Sequence, residues 1–177
     1  WLKRVVAEMG GKDGIVVDDE ADLDAAALGV AQSAFGFQGQ KCSACSRAIV
    51  VDSVHDAFVE KLMAQIPRFV NVGDPAVHGT YMGPVASERP MKTTLGYLEV
   101  GKNEGGGREA GLGGWFVEPT VFGDIAPNAR LAQEEIFGPV LAIIRARDYD
   151  DALRIANGTE YGLTGAVYTK DPAKLQR

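Results

Sequence analysis

The chain contains very little cysteine and histidine. Among its 177 residues there are two cysteines, Cys42 and Cys45, and two histidines, His55 and His78. Two cysteines three positions apart cannot build a disulfide framework, so we expect a reducing, cytoplasmic compartment. A structural zinc site needs a second Cys-x-x-C pair or histidines at ligand spacing, and the sequence offers neither. We therefore predict no metal site.

Long apolar runs and basic stretches are also missing. No run is long enough to span a bilayer, and no basic-then-apolar leader is present. The net charge is −6, and no basic stretch offsets it. This charge argues against nucleic acid or an anionic membrane surface as a partner. The 46% of apolar and 24% of charged residues are typical of a globular domain with its own core.

The two ends of the chain are abrupt. Residues 1–6 (WLKRVV) resemble the middle of a strand and carry no initiator methionine, and residues 171–177 have a helical pattern. We therefore expect the chain to be a piece of a longer protein.

Short β-branched runs alternate with helical patterns along the chain. We predict buried strands at residues 15–17 and 140–144, further strands at 47–51 and 164–168, and an extended segment at 115–122. We predict helices at residues 21–35, at 52–67 with a stop at Pro67, at 148–157, and weakly over 85–101. This alternation predicts an α/β domain with a mostly parallel open sheet flanked by helices.

The most informative feature that is present is one cysteine in a polar setting. Residues 38–45 (QGQKCSAC) follow the first long helix and precede a strand, which puts Cys42 on a loop. A buried cysteine is the simpler interpretation, but the polar, glycine-flanked neighbours favour exposure. An exposed thiolate is a nucleophile, and the backbone N–H of Cys42 could help to hold an oxyanion on the attacked atom.

Cys42 and Cys45 also form a Cys-x-x-C pair. This leaves open a thiol–disulfide oxidoreductase as an alternative function. That interpretation ranks second, because the pair should follow the first strand at a helix start, whereas here it follows a helix and leads into a strand. A non-catalytic remnant that scaffolds a partner is a third possibility, and it predicts no enhanced labelling of Cys42.

Two acidic segments accompany the cysteine. Glu8 opens residues 8–12 (EMGGK), 34 positions before Cys42, and the glycines allow a sharp turn that exposes the carboxylate in a cleft. A carboxylate in such a place can activate water, although a solvated surface glutamate is the simpler interpretation. Residues 134–140 (EEIFGPV) could be an acidic turn before a strand, but adjacent carboxylates followed by an aromatic residue and Gly-Pro are unusual for one.

A glycine-rich stretch matches a dinucleotide fingerprint in letters only. Residues 105–110 (GGGREA) fit the G-x-G-x-x-G/A pattern. The pattern binds phosphate only between a strand and a helix, and here an extended segment follows. We interpret the stretch as a surface loop and predict no usual nucleotide-phosphate site.

Taken together and in this order, the three segments resemble the aldehyde dehydrogenase superfamily. Its patterns E-[LM]-G-G-K, G-Q-x-C and E-E-I-F-G-P occur here at residues 8–12, 39–42 and 134–139. The resemblance covers essentially the whole chain. Within the superfamily, residues 35–47 are most similar to the 1-pyrroline-5-carboxylate dehydrogenase branch, which oxidises L-glutamate γ-semialdehyde to glutamate with NAD+ in proline breakdown.

The resemblance implies a role for each candidate residue. Cys42 adds to the aldehyde carbon and passes through a thiohemiacetal to a thioester, while Glu8 activates the water that hydrolyses it. Ser43 contacts the substrate carboxylate.

The same resemblance implies a cofactor side of the site. Glu135 binds the nicotinamide-side ribose of NAD, Phe137 lies beside the ring, and Gly10 belongs to the same side.

It also implies what residues 1–177 lack, namely a cofactor-binding domain, a segment that closes the pocket and an oligomerisation arm. We expect a single nucleophile-bearing catalytic domain fragment, inactive alone, from a homo-oligomeric parent that acts on a small-molecule aldehyde.

Overall fold

A computed structural model describes residues 1–104 and 114–176 of the chain. Five parallel strands form one sheet in the order β3-β4-β2-β1-β5. The strands are β1 (Gly14–Val17), β2 (Arg47–Val51), β3 (Thr120–Phe122), β4 (Val140–Ala146) and β5 (Gly165–Tyr168). The helices are α1 (Leu23–Phe35), α2 (Asp52–Phe69), α3 (Glu88–Glu104), α4 (Arg130–Gln133) and α5 (Tyr149–Ala156). The predicted α/β class with a parallel sheet and flanking helices is confirmed.

The central strands are apolar because both faces of the sheet are covered. Side chains alternate between the faces: Ile15 and Val17 join a core with α1 and α2, whereas Val16 joins a core with α3, α4 and α5. Every residue of β1 and β2 is buried. The continuous apolar runs therefore reflect burial on two sides.

Helix α1 illustrates how local chemistry sets the bounds of an element. Its N-cap is Asp22, whose side chain accepts the N–H groups of Asp24 and Ala25 at 3.2 Å. The helix ends at Phe35, and Gly36 follows as the C-cap in an extended conformation. The chain then enters a short 3-10 turn over Gly36–Gly39.

Two predicted helices have different bounds in the structure. Helix α2 continues past Pro67 to Phe69, since the proline lies in the last turn and the N–H of Val70 still donates to the carbonyl of Ile66 at 2.9 Å. The weak pattern over residues 85–101 is a helix from Glu88. Pro90 fits there because backbone N–H groups in a first turn have no intrahelical acceptor.

The strand-like pattern of residues 1–6 was wrong, and the extended segment at 115–122 is only partly paired. Residues 1–6 form no strand: they are exposed, and none of the five strands pairs with them. An extended segment becomes a strand only when a neighbour takes up its N–H and C=O groups. For the same reason the segment at 115–122 is a strand only over Thr120–Phe122, where it pairs with β4. The glycine stretch at 105–113 lies outside the described residues.

The strand order decides which loops meet. Strands β4, β2 and β1 are adjacent and parallel, with Gly14 opposite Arg47 and Arg47 opposite Ala142. The loops that precede these strands therefore lie side by side at the amino-terminal edge of the sheet. Those loops carry residues 8–12, 39–42 and 134–139. No helix among the described residues is long and apolar enough to cross a membrane.

Candidate active site

The loop between α1 and β2, residues 36–46, carries Cys42 and is called here the cysteine loop. Three consecutive residues in it have left-handed backbone: Phe37 (φ 55°), Gln38 (φ 59°) and Gly39 (φ 66°). A Cβ on Gly39 would overlap the carbonyl oxygen of Gly138, so the loop packs closely on the segment that precedes β4. The reversal leaves the side chain of Cys42 exposed. The prediction of a loop-borne, exposed cysteine is confirmed.

Two glutamine side chains of the cysteine loop form hydrogen bonds that fix its conformation. The Gln40 Oε1 accepts the N–H of Ala86 at 3.1 Å. With its amide turned to satisfy both neighbours, Gln38 accepts the N–H of Gly83 at 2.8 Å and donates to the carbonyl of Phe37 at 3.0 Å. Left-handed backbone at a bulky residue such as Phe37 is strained, and these bonds stabilise it.

Gly10 and Gly11, called here the glycine turn, lie between the other two motifs. The N–H of Gly11 donates to Glu135 Oε1 at 2.9 Å. A Cβ on Gly10 would lie 2.9 Å from Glu135 Oε2, and a Cβ on Gly11 would overlap the carbonyl oxygen of Cys42. The glycine turn thus has the Cys42 backbone on one side and the Glu135 carboxylate on the other. Segments more than 120 residues apart in sequence form one surface.

Glu8 is held by fewer contacts than the glycine turn and Glu135. Glu8 lies two residues before Gly10 in the exposed segment of residues 1–10, which has no helix or strand. Within the described residues, no hydrogen bond or ion pair ties its carboxylate to Cys42. Its position beside the glycine turn is consistent with the predicted role in activating water, and that role stays a prediction.

Phe137 lines a small cavity together with Gly11 and Glu135, whereas Ser43 lines a different one. Phe137 has left-handed backbone (φ 59°) and a side chain 43% exposed. Ser43 is exposed and lines a cavity of about 80 Å³ together with Cys45. An exposed aromatic face next to a carboxylate suits a ring and its ribose, and the glycine turn leaves space that a Cβ would fill.

Cys45 is buried, whereas Cys42 is exposed. It is 2% exposed, its N–H donates to Ser33 Oγ at 3.2 Å, and its thiol donates to the carbonyl of Arg47 at 3.4 Å. Burial raises the pKa of the Cys45 thiol to about 12. Because thiol–disulfide exchange requires a thiolate, this environment disfavours Cys45 as a partner in such exchange.

The sequence pattern of the aldehyde dehydrogenase family matches residues 1–177. The chain belongs to the aldehyde dehydrogenase family. The family's three motifs are residues 8–12, 39–42 and 134–139, and they meet at the glycine turn.

Relatives within the family agree with the branch predicted above. The 1-pyrroline-5-carboxylate dehydrogenases of Geobacillus kaustophilus (strain HTA426) and Bacillus subtilis (strain 168) are 55% and 54% identical to the chain over 181 residues. Each alignment takes in 100% of this chain and 35% of the relative. The chain therefore spans about a third of the length of these curated relatives.

Solved structures of the family superpose closely. A 1-pyrroline-5-carboxylate dehydrogenase from Thermus with bound NAD is 48% identical, with a TM-score of 0.91 over 96% of this chain and 33% of that one. A proline utilization A protein from Bdellovibrio bacteriovorus is 47% identical, with a TM-score of 0.91 over 96% of this chain and 18% of that one. The aldehyde dehydrogenase fold is thus shared across the described residues.

Asp13 is a residue of this aldehyde dehydrogenase site that sequence reasoning missed. Its main-chain oxygen accepts the N–H groups of Ser46 and Arg47 at 3.1 and 3.2 Å, and its Oδ1 accepts the N–H of Thr164 at 2.9 Å. It therefore joins the loops that precede β1, β2 and β5. The only signal in the sequence was an acidic residue directly before an apolar strand.

Arg47, the first residue of β2, was missed as well. It is 3% exposed, and its guanidinium donates to the carbonyls of Lys12, Ile155 and Ala156 at 2.8, 3.1 and 2.9 Å. The last two carbonyls end α5, where the helix dipole favours a cation. Arg47 thus ties the glycine-turn segment to β2 and to α5. Among the described residues, no cluster of acidic, cysteine or histidine side chains suits a metal ion.

Replacement of Arg47 by methionine is expected to destabilise the fold by about 3–5 kcal/mol. The change removes the charged donor from the carbonyls of Lys12, Ile155 and Ala156, of which the Ile155 carbonyl keeps the N–H of Gly158. Each hydrogen bond lost costs on the order of 1–3 kcal/mol. Urea unfolding of wild type and variant measures the difference. The control Arg89→Met removes an exposed guanidinium from the first turn of α3 and should change stability by less than about 0.5 kcal/mol. Equal stability of the two variants would contradict the assignment.

Proposed function

We propose that residues 1–177 are the nucleophile-bearing catalytic domain of a longer, NAD-dependent dehydrogenase that oxidises L-glutamate γ-semialdehyde to glutamate. The observation that carries the proposal is the glycine turn, whose Gly11 meets the Cys42 carbonyl and donates to Glu135 at 2.9 Å. The relatives named 1-pyrroline-5-carboxylate dehydrogenase, at 54–55% identity over the whole chain, support the choice of aldehyde.

Residues of the cysteine loop carry out the first half of the reaction. The Cys42 sulfur forms a bond to the aldehyde carbon, the C=O π bond opens, and the carbonyl oxygen becomes an oxyanion. The backbone N–H of Cys42 is suited to hold that oxyanion, because the loop presents it beside the exposed side chain. Ser43, next in the chain and also exposed, binds the carboxylate at the far end of the substrate.

The cofactor side is formed by Glu135, Phe137 and Gly10. The fit rests on an exposed aromatic ring, a carboxylate beside it, and a glycine whose missing Cβ leaves the Glu135 oxygen accessible. NAD+, when bound, supplies the acceptor for the hydride that leaves the substrate carbon. Glu135 is suited to bind ribose hydroxyls through Oε2 while Oε1 keeps the Gly11 N–H.

The second half regenerates the thiol. Glu8 takes a proton from water, the resulting hydroxide attacks the thioester carbon, and the carbon–sulfur bond breaks to release the acid and the Cys42 thiolate. Gly10 and Gly11, which follow Glu8 closely in the chain, let the Glu8 carboxylate move into the cleft and out of it. The parent protein is proposed to be homo-oligomeric and cytoplasmic, with a small-molecule aldehyde as substrate.

Replacement of Cys45 by alanine separates this function from thiol–disulfide exchange. The dehydrogenase needs only Cys42 as nucleophile, so the variant should keep aldehyde oxidation within about threefold of wild type, the remaining change reflecting a small buried cavity. NADH formation from pyrroline-5-carboxylate by the full-length protein is the measurement. Loss of activity with Cys45→Ala, together with disulfide reductase activity in wild type, would instead support exchange.

A further inference from the structure

The side chain of Lys12 is buried. Its side chain is 1% exposed, and Nζ makes no hydrogen bond among the described residues. Lysine is almost never fully buried unless its charge is paired, because the ammonium loses its hydration. The position of such a buried lysine next to the proposed active site indicates a chemical role.

The surroundings bring Lys12 close to the point where its charge changes at neutral pH. Burial lowers the pKa of Lys12 from 10.5 to about 7, and repulsion from Arg47 of β2 acts in the same direction. Attraction to Glu135 and Glu134 opposes the change without cancelling it. A small change in nearby charge therefore alters the protonation of Lys12.

The site already described lies one residue away. Lys12 follows Gly11, whose N–H donates to Glu135, and Glu135 is the strongest charge favouring the ammonium form. A cation that binds at Glu135 offsets this attraction and adds its own repulsion. The binding of positive charge on the cofactor side is thus transmitted to Lys12 by electrostatics, without any movement of the backbone.

A polar cavity lies next to Lys12. The cavity measures about 310 Å³ and is lined by Lys12 together with Asp13, Arg47, Asn157, Tyr161 and Thr164. Its polar lining and volume suit ordered water. The Nζ atom is almost fully enclosed in the structure, so a proton passes between Nζ and this water when the lysine side chain turns toward the cavity.

We propose that Lys12 is a proton-exchanging group whose charge follows the charge of the bound nicotinamide. Its ammonium gives a proton to cavity water when the cationic ring of NAD+ binds near Glu135, and its neutral amine takes a proton back when the ring has become uncharged. Only an N–H bond of Nζ breaks and re-forms. The proton taken up is one of those that aldehyde oxidation releases. The inference rests on the proposed function, since it requires NAD+ beside Glu135.

Calorimetry of cofactor binding tests the linkage without any turnover. NAD+ is titrated into the full-length Cys42→Ala protein in two buffers of different ionisation heat, so that the thiol cannot be the source of protons. We expect proton release to peak near pH 7 at roughly half a proton per site for a shift of one pKa unit, and to vanish at pH 5 and pH 9. NADH, which has the same phosphates but an uncharged ring, should release clearly less.

Variants at Lys12 assign the proton to its amine. Lys12→Met is never charged and Lys12→Arg always is, so each should abolish the release near pH 7 in the Cys42→Ala background. Lys170→Met, which removes an exposed lysine after β5, should keep it. Equal release with NAD+ and NADH, or unchanged release in Lys12→Met, overturns the proposal while the proposed function stands. Failure of NAD+ to bind in any buffer overturns both.

Discussion

Replacement of Cys42 by alanine is expected to reduce aldehyde oxidation by at least about 10⁴-fold. Alanine cannot form the covalent bond to the aldehyde carbon, and removal of a nucleophile leaves only the contribution of binding and oxyanion stabilisation. The fold should be unaffected, because the Cys42 side chain is exposed and packs against no core. The measurement is the rate of NADH formation from pyrroline-5-carboxylate by the full-length protein.

A second measurement makes the Cys42 prediction specific. An aldehyde-mimicking or alkylating reagent should label wild type at Cys42 and leave Cys42→Ala unlabelled, while the buried Cys45 stays unmodified in both. Because a scaffolding remnant needs no reactive thiol, it predicts no labelling above background. Activity of Cys42→Ala within tenfold of wild type would end the nucleophile assignment.

Replacement of Gly11 by alanine is expected to reduce the same activity by about 10²-fold or more, although the substitution adds a single methyl group. The new Cβ overlaps the carbonyl oxygen of Cys42, and a backbone oxygen cannot turn away as a flexible side chain can. The cysteine loop or the glycine turn must shift, which also disturbs the bond from Gly11 to Glu135. Displacements of about 1 Å at reacting groups cost on the order of 10²-fold in rate.

A matched glycine offers the control. Gly96 lies exposed in α3, and a Cβ there meets no atom within 4 Å. Gly96→Ala should leave activity unchanged and stabilise the helix by about 0.5–1 kcal/mol, since alanine loses less backbone entropy on folding. The informative comparison is kcat of the two variants at equal cofactor saturation. If Gly11→Ala were as active as Gly96→Ala, the close approach of Gly11 to Cys42 would be wrong.

Strands and their neighbouring loops were predicted well because they depend on local patterns. Strand β2 was predicted at its observed bounds, since the aliphatic run after Arg47 is bounded by polar residues on both sides. The helix predicted over residues 148–157 is α5 (Tyr149–Ala156), and Asp148 is its N-cap. The exposure of Cys42 followed from the polarity and glycine content of residues 38–43.

Other features depend on distant parts of the chain and could not be predicted. Residues 1–6 have the composition of a strand, yet none of the described strands pairs with them. In sequence, Lys12 resembles a surface lysine that follows two glycines. In the structure its side chain is buried, and its carbonyl accepts a hydrogen bond from Arg47. The contrast between Cys42 and Cys45 is likewise a matter of burial, which three residues of sequence separation do not reveal.

By itself the sequence determined the α/β class, the approximate strands and the three motifs that mark the aldehyde dehydrogenase family. The tertiary structure alone decided that β4, β2 and β1 are neighbours, so that Glu135, Cys42 and the glycine turn share one edge of the sheet. The physical reason is that strand propensity depends on nearby residues, whereas strand order, close backbone approach and burial depend on packing across the whole fold.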